Sequence, residues 1–255
     1  MNVYEKLLEP LDIQLSDVIL VSSDIRKLML QCMRKKKRFD INAFIDAFLA
    51  RLGSEGTLLF PTYNWDFCNG IAFDYKNSLG RTGSLGNAAL QRVDFKRTKH
   101  PLYSFAVWGK DQKKLCEKEY SSSFGKESIF AYLYEVKAKN VVFDVEIGHC
   151  CTFAHFVEES SGLVHYRYKK KFTAPYIDES GNVHESTYEM FVRDLDLEVK
   201  NIGPLEADFL EANIGQSVDV QNHHWFVLPF EEAYQMIYED IKYNNSRRIC
   251  RYKGQ

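Results

Sequence analysis

Short apolar runs alternating with helix-forming stretches constrain this chain more than any other feature. DVILV (17–21), GTLLFP (56–61), SFAVW (104–108) and VVFDVEI (141–147) are almost continuously apolar, and each is followed by glycine, proline or a cluster of hydroxyls. A strand without polar alternation must be covered on both faces, so these runs read as strands of a sheet with helices on either side. Between them INAFIDAFLARL (41–52) has apolar residues at helical spacing with Gly53 at its end. Tyr4–Leu11, a helix from Ile25 capped by Ser22-Ser23-Asp24, Ala88–Val93, Ile129–Lys137 and Cys151–Glu159 complete the helical reading of this part. From His165 the pattern becomes β-rich: HYRYKKKFTAPYI, a turn at Glu179-Ser180-Gly181-Asn182, then VHESTYEMFV, which predicts a long hairpin. Helices near Glu206–Ala212 and Phe230–Asn244 close the chain. The expected fold is α/β: a single domain over residues 1–255, with a central mainly parallel mixed sheet flanked by helices, plus a C-terminal β-hairpin and helical segment. In such a sheet the functional loops leave the C-terminal ends of the strands.

Composition removes several function classes. A chain of 255 residues can bury roughly 70–75% of its unfolded surface and needs neither disulfide nor metal to hold a core. No apolar run approaches the ~20 residues of a membrane span, and the opening MNVYEKLLEPLDIQ carries acids where a signal peptide is apolar. Cysteines 32, 68, 116, 150, 151 and 250 form neither a CxxC pair nor a disulfide framework. Together these features predict a cytoplasmic protein with reduced thiols and no membrane partner. Lys+Arg is 33 and Asp+Glu 35, a net charge of −2, so no nucleic-acid partner is expected. The charge is uneven, with RKKKR at 34–38, RYKKK at 167–171, and nine acids against two bases from Glu185 to Asp219. An aromatic content of 14% leaves material for an interface, such as that of a homodimer.

Polar clusters follow the predicted strands. Ser22-Ser23-Asp24-Ile25-Arg26 sits where a helix N-terminus can bind an anion or merely carry a cap. Arg97-Thr98-Lys99-His100-Pro101-Leu102-Tyr103-Ser104 crowds cations and hydroxyls into one loop, where Arg97 can fork a phosphate or the whole can be a solvated connection. In Gly148-His149-Cys150-Cys151-Thr152-Phe153-Ala154-His155-Phe156-Val157-Glu158-Glu159, His155 and Glu158 are three apart and share a helix face. A carboxylate beside an imidazole fixes its tautomer and raises its basicity, as a general base requires. The same stretch admits zinc ligation by His149, Cys150, Cys151 and His155, and a nucleophilic Cys151 activated by His155. Gly80-Arg81-Thr82-Gly83-Ser84-Leu85-Gly86 has the glycine count of a phosphate loop without the preceding strand.

These clusters in this order resemble the aminoglycoside N3-acetyltransferase, or antibiotic N-acetyltransferase, family. DVILVSSDIRK stands where the family has a strand and HSSLR, GTLLFPTYNW where it has GTLxxPT, GSLGNAALQRVDFKRTKHPLYSFAVWG where it has RSxHPxxSxxxxG, and GHCCTFAHFVEE, followed by YRYKKKF, where it has TxxHxxE. The likeness runs over about residues 1–244. It implies a coenzyme A thioester as acyl donor, acetyl by default or a longer acyl group, an amine as acceptor, and no metal. His155 matches the family's catalytic histidine, Glu158 its companion carboxylate and Thr152 the hydroxyl before it. Ser22, Ser23 and Arg26 fall on a first coenzyme-facing loop, and Arg97, Thr98, His100 and Ser104 on a second. Val21 replaces the histidine of HSS, Asp24 the usual leucine, and Thr98 a serine.

The expected mechanism has His155 take the proton of the attacking amine while Glu158 or a nearby acid holds the ring, with Thr152 or backbone N–H groups stabilising the oxyanion. Tyr63, Asn64, Trp65 and Asp66 are expected to border the acceptor, an amino sugar. RKKKR and RYKKK, taken as lying near the active-site edge, favour a nucleotide-linked (dTDP or UDP) amino sugar of surface polysaccharide synthesis, such as O-antigen biosynthesis. The alternatives are an aminoglycoside acetyltransferase conferring antibiotic resistance, and a degenerate protein that binds coenzyme A or a sugar nucleotide without turnover.

Overall fold

The computed structural model describes residues 3–197 and 205–253. In chain order the elements are α1 (Glu5–Leu8), β1 (Val18–Ser23), α2 (Arg26–Arg34), α3 (Ile41–Leu52), β2 (Thr57–Pro61), β3 (Phe73–Asp74), α4 (Ser84–Ala89), β4 (Lys96–Arg97) and β5 (Phe105–Gly109). There follow α5 (Gln112–Glu117), α6 (Ile129–Glu135), β6 (Lys139–Phe143), α7 (Ile147–Cys150), α8 (Phe153–Ser161), β7 (Arg167–Ile177), β8 (Val183–Arg193), α9 (Leu205–Glu211), β9 (Gln216–Val220), β10 (His223–Pro229) and α10 (Phe230–Asn244).

Seven strands form the central sheet in the order β4-β5-β2-β1-β6-β10-β9. Its centre is parallel, β2-β1-β6, with register pairs such as Leu20 with Leu59 and Ser23 with Phe143. Every outer pairing is antiparallel, so the sheet is mixed but not mainly parallel as expected. The difference arises on both flanks: β5 runs antiparallel to β2 and β4 on one side, and β10 antiparallel to β6 and β9 on the other. QSVDV and HHWFVLP join through a tight turn at Gln221 and Asn222, both with positive φ, and adjacent short strands of that kind can pair only antiparallel. A second sheet, β3-β7-β8, is built on the expected hairpin.

Side chains of the central strands alternate between two cores. Ile19, Val21, Leu58, Phe60, Val141 and Phe143 pack with α1, α2, α3 and α4. Leu20, Leu59 and Val142 pack with α5, α6, α8 and α10. That double burial explains why the runs lack polar alternation. The helix expected at Ala88–Val93 forms instead at Ser84–Ala89. Gly86 allows it, because a Cβ there would fall 2.4 Å from the Pro61 carbonyl oxygen. The glycine-rich stretch thus serves close packing of α4 on β2. VVFDVEI also divides: β6 stops at Phe143, Asp144 turns with positive φ, and Ile147 opens α7. Among the described residues no helix is long and apolar enough to cross a membrane.

Candidate active site

The parallel strands β1, β2 and β6 end at one edge, and β5 and β10, running the other way, begin there. Pro61 pairs with Phe105 and Phe143 with Trp225. The segments leaving that edge include Tyr63-Asn64-Trp65 and residues 144–155, and Tyr103 enters it. The β7–β8 hairpin faces them, and a cavity of about 1430 Å³ lies between, lined on one side by Trp65, Tyr103, Thr152 and His155 and on the other by Phe172, Met190 and Phe191.

His155 and Glu158 occupy successive turns of α8, a helix that ends where Gly162 takes the left-handed conformation. The His155 Nδ1 stands 2.7 Å from Glu158 Oε2. The imidazole is 30% exposed, to the cavity, whereas the carboxylate is 2% exposed. Two further groups hold that carboxylate: the Tyr166 hydroxyl donates to Oε1 at 2.9 Å, and Arg167 Nε lies 2.8 Å from Oε2. Burial raises the Glu158 carboxyl, but His155, Arg167 and Tyr166 outweigh it and leave it below its ordinary range. An ionised carboxylate only accepts, so the Nδ1 carries the proton and the Nε2 keeps its lone pair. Burial and then the Arg167 charge hold the imidazolium form below the ordinary histidine value, against the pull of Glu158. The ring is therefore an uncharged base at neutral pH, fixed in one tautomer.

Thr152 immediately precedes α8, within hydrogen-bonding reach of the Tyr63 phenol. The N–H groups of Thr152, Ala154 and His155 are already bonded to the carbonyls of Cys150, Cys151 and Thr152. Of the donors expected here, the Thr152 hydroxyl and the Phe153 N–H, the first of α8, are the candidates that remain. Cys151 lines the cavity, but burial pushes its thiol up to about 12. It is a thiol and not a thiolate at neutral pH, which removes the basis of the nucleophile reading. Among the described residues no group of three or more His, Cys, Asp or Glu side chains could hold a metal ion.

The other expected site residues divide sharply. Trp65 lines the cavity against Tyr103. Tyr63 is buried behind it, Asn64 bridges the Leu79 carbonyl and the Asp66 N–H, and Asp66 pairs with Arg81 away from the cavity. Ser22 is buried, donating to Asn140, and touches Cys150 beneath the 147–150 turn. Ser23 is half-buried, and Arg26 is exposed and paired with Asp24. Asp24, not a serine, accepts the Arg26 N–H. The second loop is interior. Arg97 donates to the Tyr75 and Ser78 carbonyls, with burial lowering it to about 10. Thr98 accepts the Phe105 N–H, and Ser104 bonds Thr62. His100 is pushed down to about 3 by burial and accepts the N–H groups of Leu102 and Tyr103. None of Ser22, Ser23, Arg26, Arg97, Thr98, His100 or Ser104 lines the cavity. The contacts of Ser22, Arg97, Thr98, His100 and Ser104 instead order buried side chains and backbone.

The basic segments also depart from expectation. None of Arg34–Arg38 lines the cavity; α2 packs on the opposite face of the sheet from α8. In RYKKK, Arg167 is committed to Glu158, and Lys169 to Glu159 and Glu189. Of the acidic stretch, Asp194, Asp196 and Glu206 line the cavity, while residues 198–204 lie outside the described residues. The sequence reading missed Tyr166 and Arg167 as partners of Glu158. The signal was present: a buried carboxylate needs a cation, and Arg167 is the first after the Gly162 stop.

A family model described as aminoglycoside 3-N-acetyltransferase matches residues 20–241. Among solved structures, aminoglycoside acetyltransferase AAC(3)-Xa superposes with a TM-score of 0.74 at 18% identity, over 92% of this chain and 91% of its own. AAC-IIIb in a binary complex with CoASH gives 0.75 at 16% identity, over 94% and 95%. AAC-VIa bound to sisomicin gives 0.76 at 14% identity, over 94% and 96%. At these identities the likeness is one of fold. A search of the curated proteins returned no match.

Proposed function

Because the chain belongs to the aminoglycoside 3-N-acetyltransferase family and is an acyl-CoA-dependent N-acyltransferase, we propose that its acceptor is an aminoglycoside-type amino sugar and that His155 is the general base. The carrying observation is the His155–Glu158 pair, locked in one tautomer with the Nε2 on the cavity side. The nucleotide-linked acceptor loses part of its support, since RKKKR lies across the sheet and two of the four cations of RYKKK, Arg167 and Lys169, are spent on carboxylates, leaving Lys170 at the cavity. The structure bound to sisomicin supports the aminoglycoside alternative.

The residues present fit an acyl-coenzyme A donor. The cavity, about 1430 Å³, exceeds the ~300–1,000 Å³ of an ordinary small-ligand pocket, leaving room for two substrates. Phe172, Met190, Phe191 and Val192 give it an apolar wall, and Lys170 a cation at that wall. When bound, the donor supplies a thioester carbonyl for the amine to attack. The His155 Nε2 takes the amine proton as the new C–N bond forms, Glu158 stabilises the resulting imidazolium through Nδ1, and Nε2 returns that proton to the coenzyme A sulfur as the C–S bond breaks, releasing the free thiol and the amide. The Thr152 hydroxyl, backed by Tyr63, or the Phe153 N–H is the donor for negative charge developing on the acyl oxygen.

The test is thiol release from acetyl- and longer acyl-CoAs against a panel of aminoglycosides and amino-sugar nucleotides. Turnover with an aminoglycoside is expected, and His155→Ala should lower kcat by about 10²–10⁴. Turnover only with sugar nucleotides, or a fully active His155→Ala variant, would overturn the corresponding half of the proposal.

A further inference from the structure

RKKKR, remote from the cavity, continues α2, a helix that lies on the sheet through Ile25 and Leu28. The outward side of α2 carries Met29, Leu30 and Met33, which are 41%, 53% and 68% exposed. Met33 stands one turn from each of the other two, so the three make one apolar strip. Arg26 and Arg34, both exposed, flank Leu30 one turn before and one turn after. The helix closes in a turn in which the N–H groups of Lys36 and Lys37 donate to the Met33 and Cys32 carbonyls. Lys36 takes the left-handed conformation there, with φ of 53°. Glycine is the usual residue at such a position, and lysine adds a charge to the turn instead. Beyond it Phe39 packs on Tyr4 and Phe44. The basic segment is thus anchored at both ends, and Arg34, Lys35, Lys36, Lys37 and Arg38 are all exposed.

None of those five cations makes a side-chain hydrogen bond or an ion pair among the described residues. The acids beside them in the fold are engaged elsewhere: Asp24 with Arg26, Asp144 with Lys27, and Asp40 with the Ala43 N–H at the start of α3. A cationic surface with an apolar strip at its centre therefore stands on a chain whose net charge is −2. We propose that α2 and residues 34–38 form a docking surface for an anionic phospholipid bilayer. Met29, Leu30 and Met33 enter the boundary between headgroups and acyl chains, and the five cations meet the lipid phosphates. A bilayer surface offers both counterparts, negative charge outermost and apolar material just beneath it. A nucleic acid offers the phosphates but no apolar layer for the two methionines, so the strip favours the bilayer. The expectation of no membrane partner followed from the missing span, which a helix lying in the interface does not need. None of these residues lines the active-site cavity, so docking leaves it open to both substrates.

Cosedimentation of the full chain with vesicles of phosphatidylglycerol and phosphatidylcholine, beside vesicles of phosphatidylcholine alone, tests the assignment. The wild-type protein should bind the anionic vesicles, release them as salt is raised, and leave the phosphatidylcholine vesicles unbound. Each Lys or Arg near an anionic surface changes partitioning by roughly fivefold, so Lys35→Gln, Lys36→Gln and Lys37→Gln combined should lose about 10²-fold. Met29→Ser, Leu30→Ser and Met33→Ser combined should lose about tenfold or more with the charge unchanged. Melting temperature and kcat by thiol release should hold in both variants, because the altered side chains are exposed and outside the cavity. No binding of the wild-type protein, equal binding to both kinds of vesicle, or undiminished binding by either variant would overturn the proposal. Tighter binding of a duplex DNA than of the anionic vesicles would overturn it in favour of a nucleic-acid surface. Vesicle binding is read without turnover, so the transferase function stands or falls by its own assay.

Discussion

Glu158→Gln isolates the charge behind His155 with little change of shape. The 2.7 Å bond from Nδ1 would then end on a neutral acceptor. Bonds involving a charged group contribute ~1.5–3 kcal/mol against about 1 for neutral ones, so roughly 1–2 kcal/mol is lost as the imidazolium forms. Arg167, 2.8 Å from the deleted charge, also ceases to be screened. At about 5 Å from the ring and an effective dielectric of 20, its repulsion of an imidazolium is ~3 kcal/mol. Together the two amount to about 4–5 kcal/mol, or roughly 10³-fold in kcat. The pH profile carries a second signature. A base works when unprotonated, and the His155 value, already lowered by burial and Arg167, should fall further. The acid limb of kcat should therefore move to lower pH while the plateau drops. Adding Arg167→Met removes the repulsion and should restore about 10²-fold, with the acid limb moving back up. The assay is thiol release between pH 5 and 9 at saturating substrates, with far-UV circular dichroism and thermal melts to show that both variants are folded. A folded double variant as slow as Glu158→Gln would refute the electrostatic coupling on which this rests.

Arg97→Met should lower the melting temperature by several degrees, because the buried carbonyls of Tyr75 and Ser78 lose their donor at ~1–3 kcal/mol each, and should leave KM for acetyl-CoA within about twofold. A tenfold rise in that KM without a change in melting temperature would return Arg97 to the coenzyme site. Cys151→Ala should retain kcat within about threefold, since a thiol pushed up to about 12 is not a nucleophile at neutral pH; loss of turnover with wild-type melting would restore the covalent route.

The strands that carry the site were legible because both their faces are buried, which leaves continuous apolar runs, and because each ends at glycine, proline or hydroxyls. The His155–Glu158 spacing was legible for the same local reason: three residues on a helix make one turn. What stayed hidden depends on distant chain. Arg97 and His100 read as a cationic loop because sequence does not show that Tyr75, Ser78 and Leu102 will close over them. RKKKR read as part of the rim because nothing local says on which face of the sheet α2 packs. The β9–β10 hairpin was missed because HHWFVLP begins with two histidines, whose strand position is fixed by Asp144, Asp219 and Glu206. Tyr166 and Arg167 were visible as residues, but not as partners of a carboxylate eight and nine positions earlier.

Two buried imidazole–carboxylate pairs lie at the same sheet edge, and their difference decides which one is assigned chemistry. His223 is fully buried, with Nδ1 on Asp144 and Nε2 on Gln31 Oε1 at 3.0 Å. Gln31 donates its own amide to the Gln221 carbonyl, which fixes its oxygen towards the ring. Asp144 also accepts from Lys27 and from the His224 N–H. Both nitrogens of His223 are thus engaged within the protein, and the network ties β6 to β10 and α2 without lining the active-site cavity. Glu158 is as deeply buried and as fully bonded, but its imidazole spends only one nitrogen inside and leaves the other at the wall. Packing alone does not call for such a pair, because apolar residues of similar volume are often neutral or stabilising in its place. Replacing His223 and Asp144 should therefore register in thermal melts first, whereas replacing His155 should register in turnover with the fold intact.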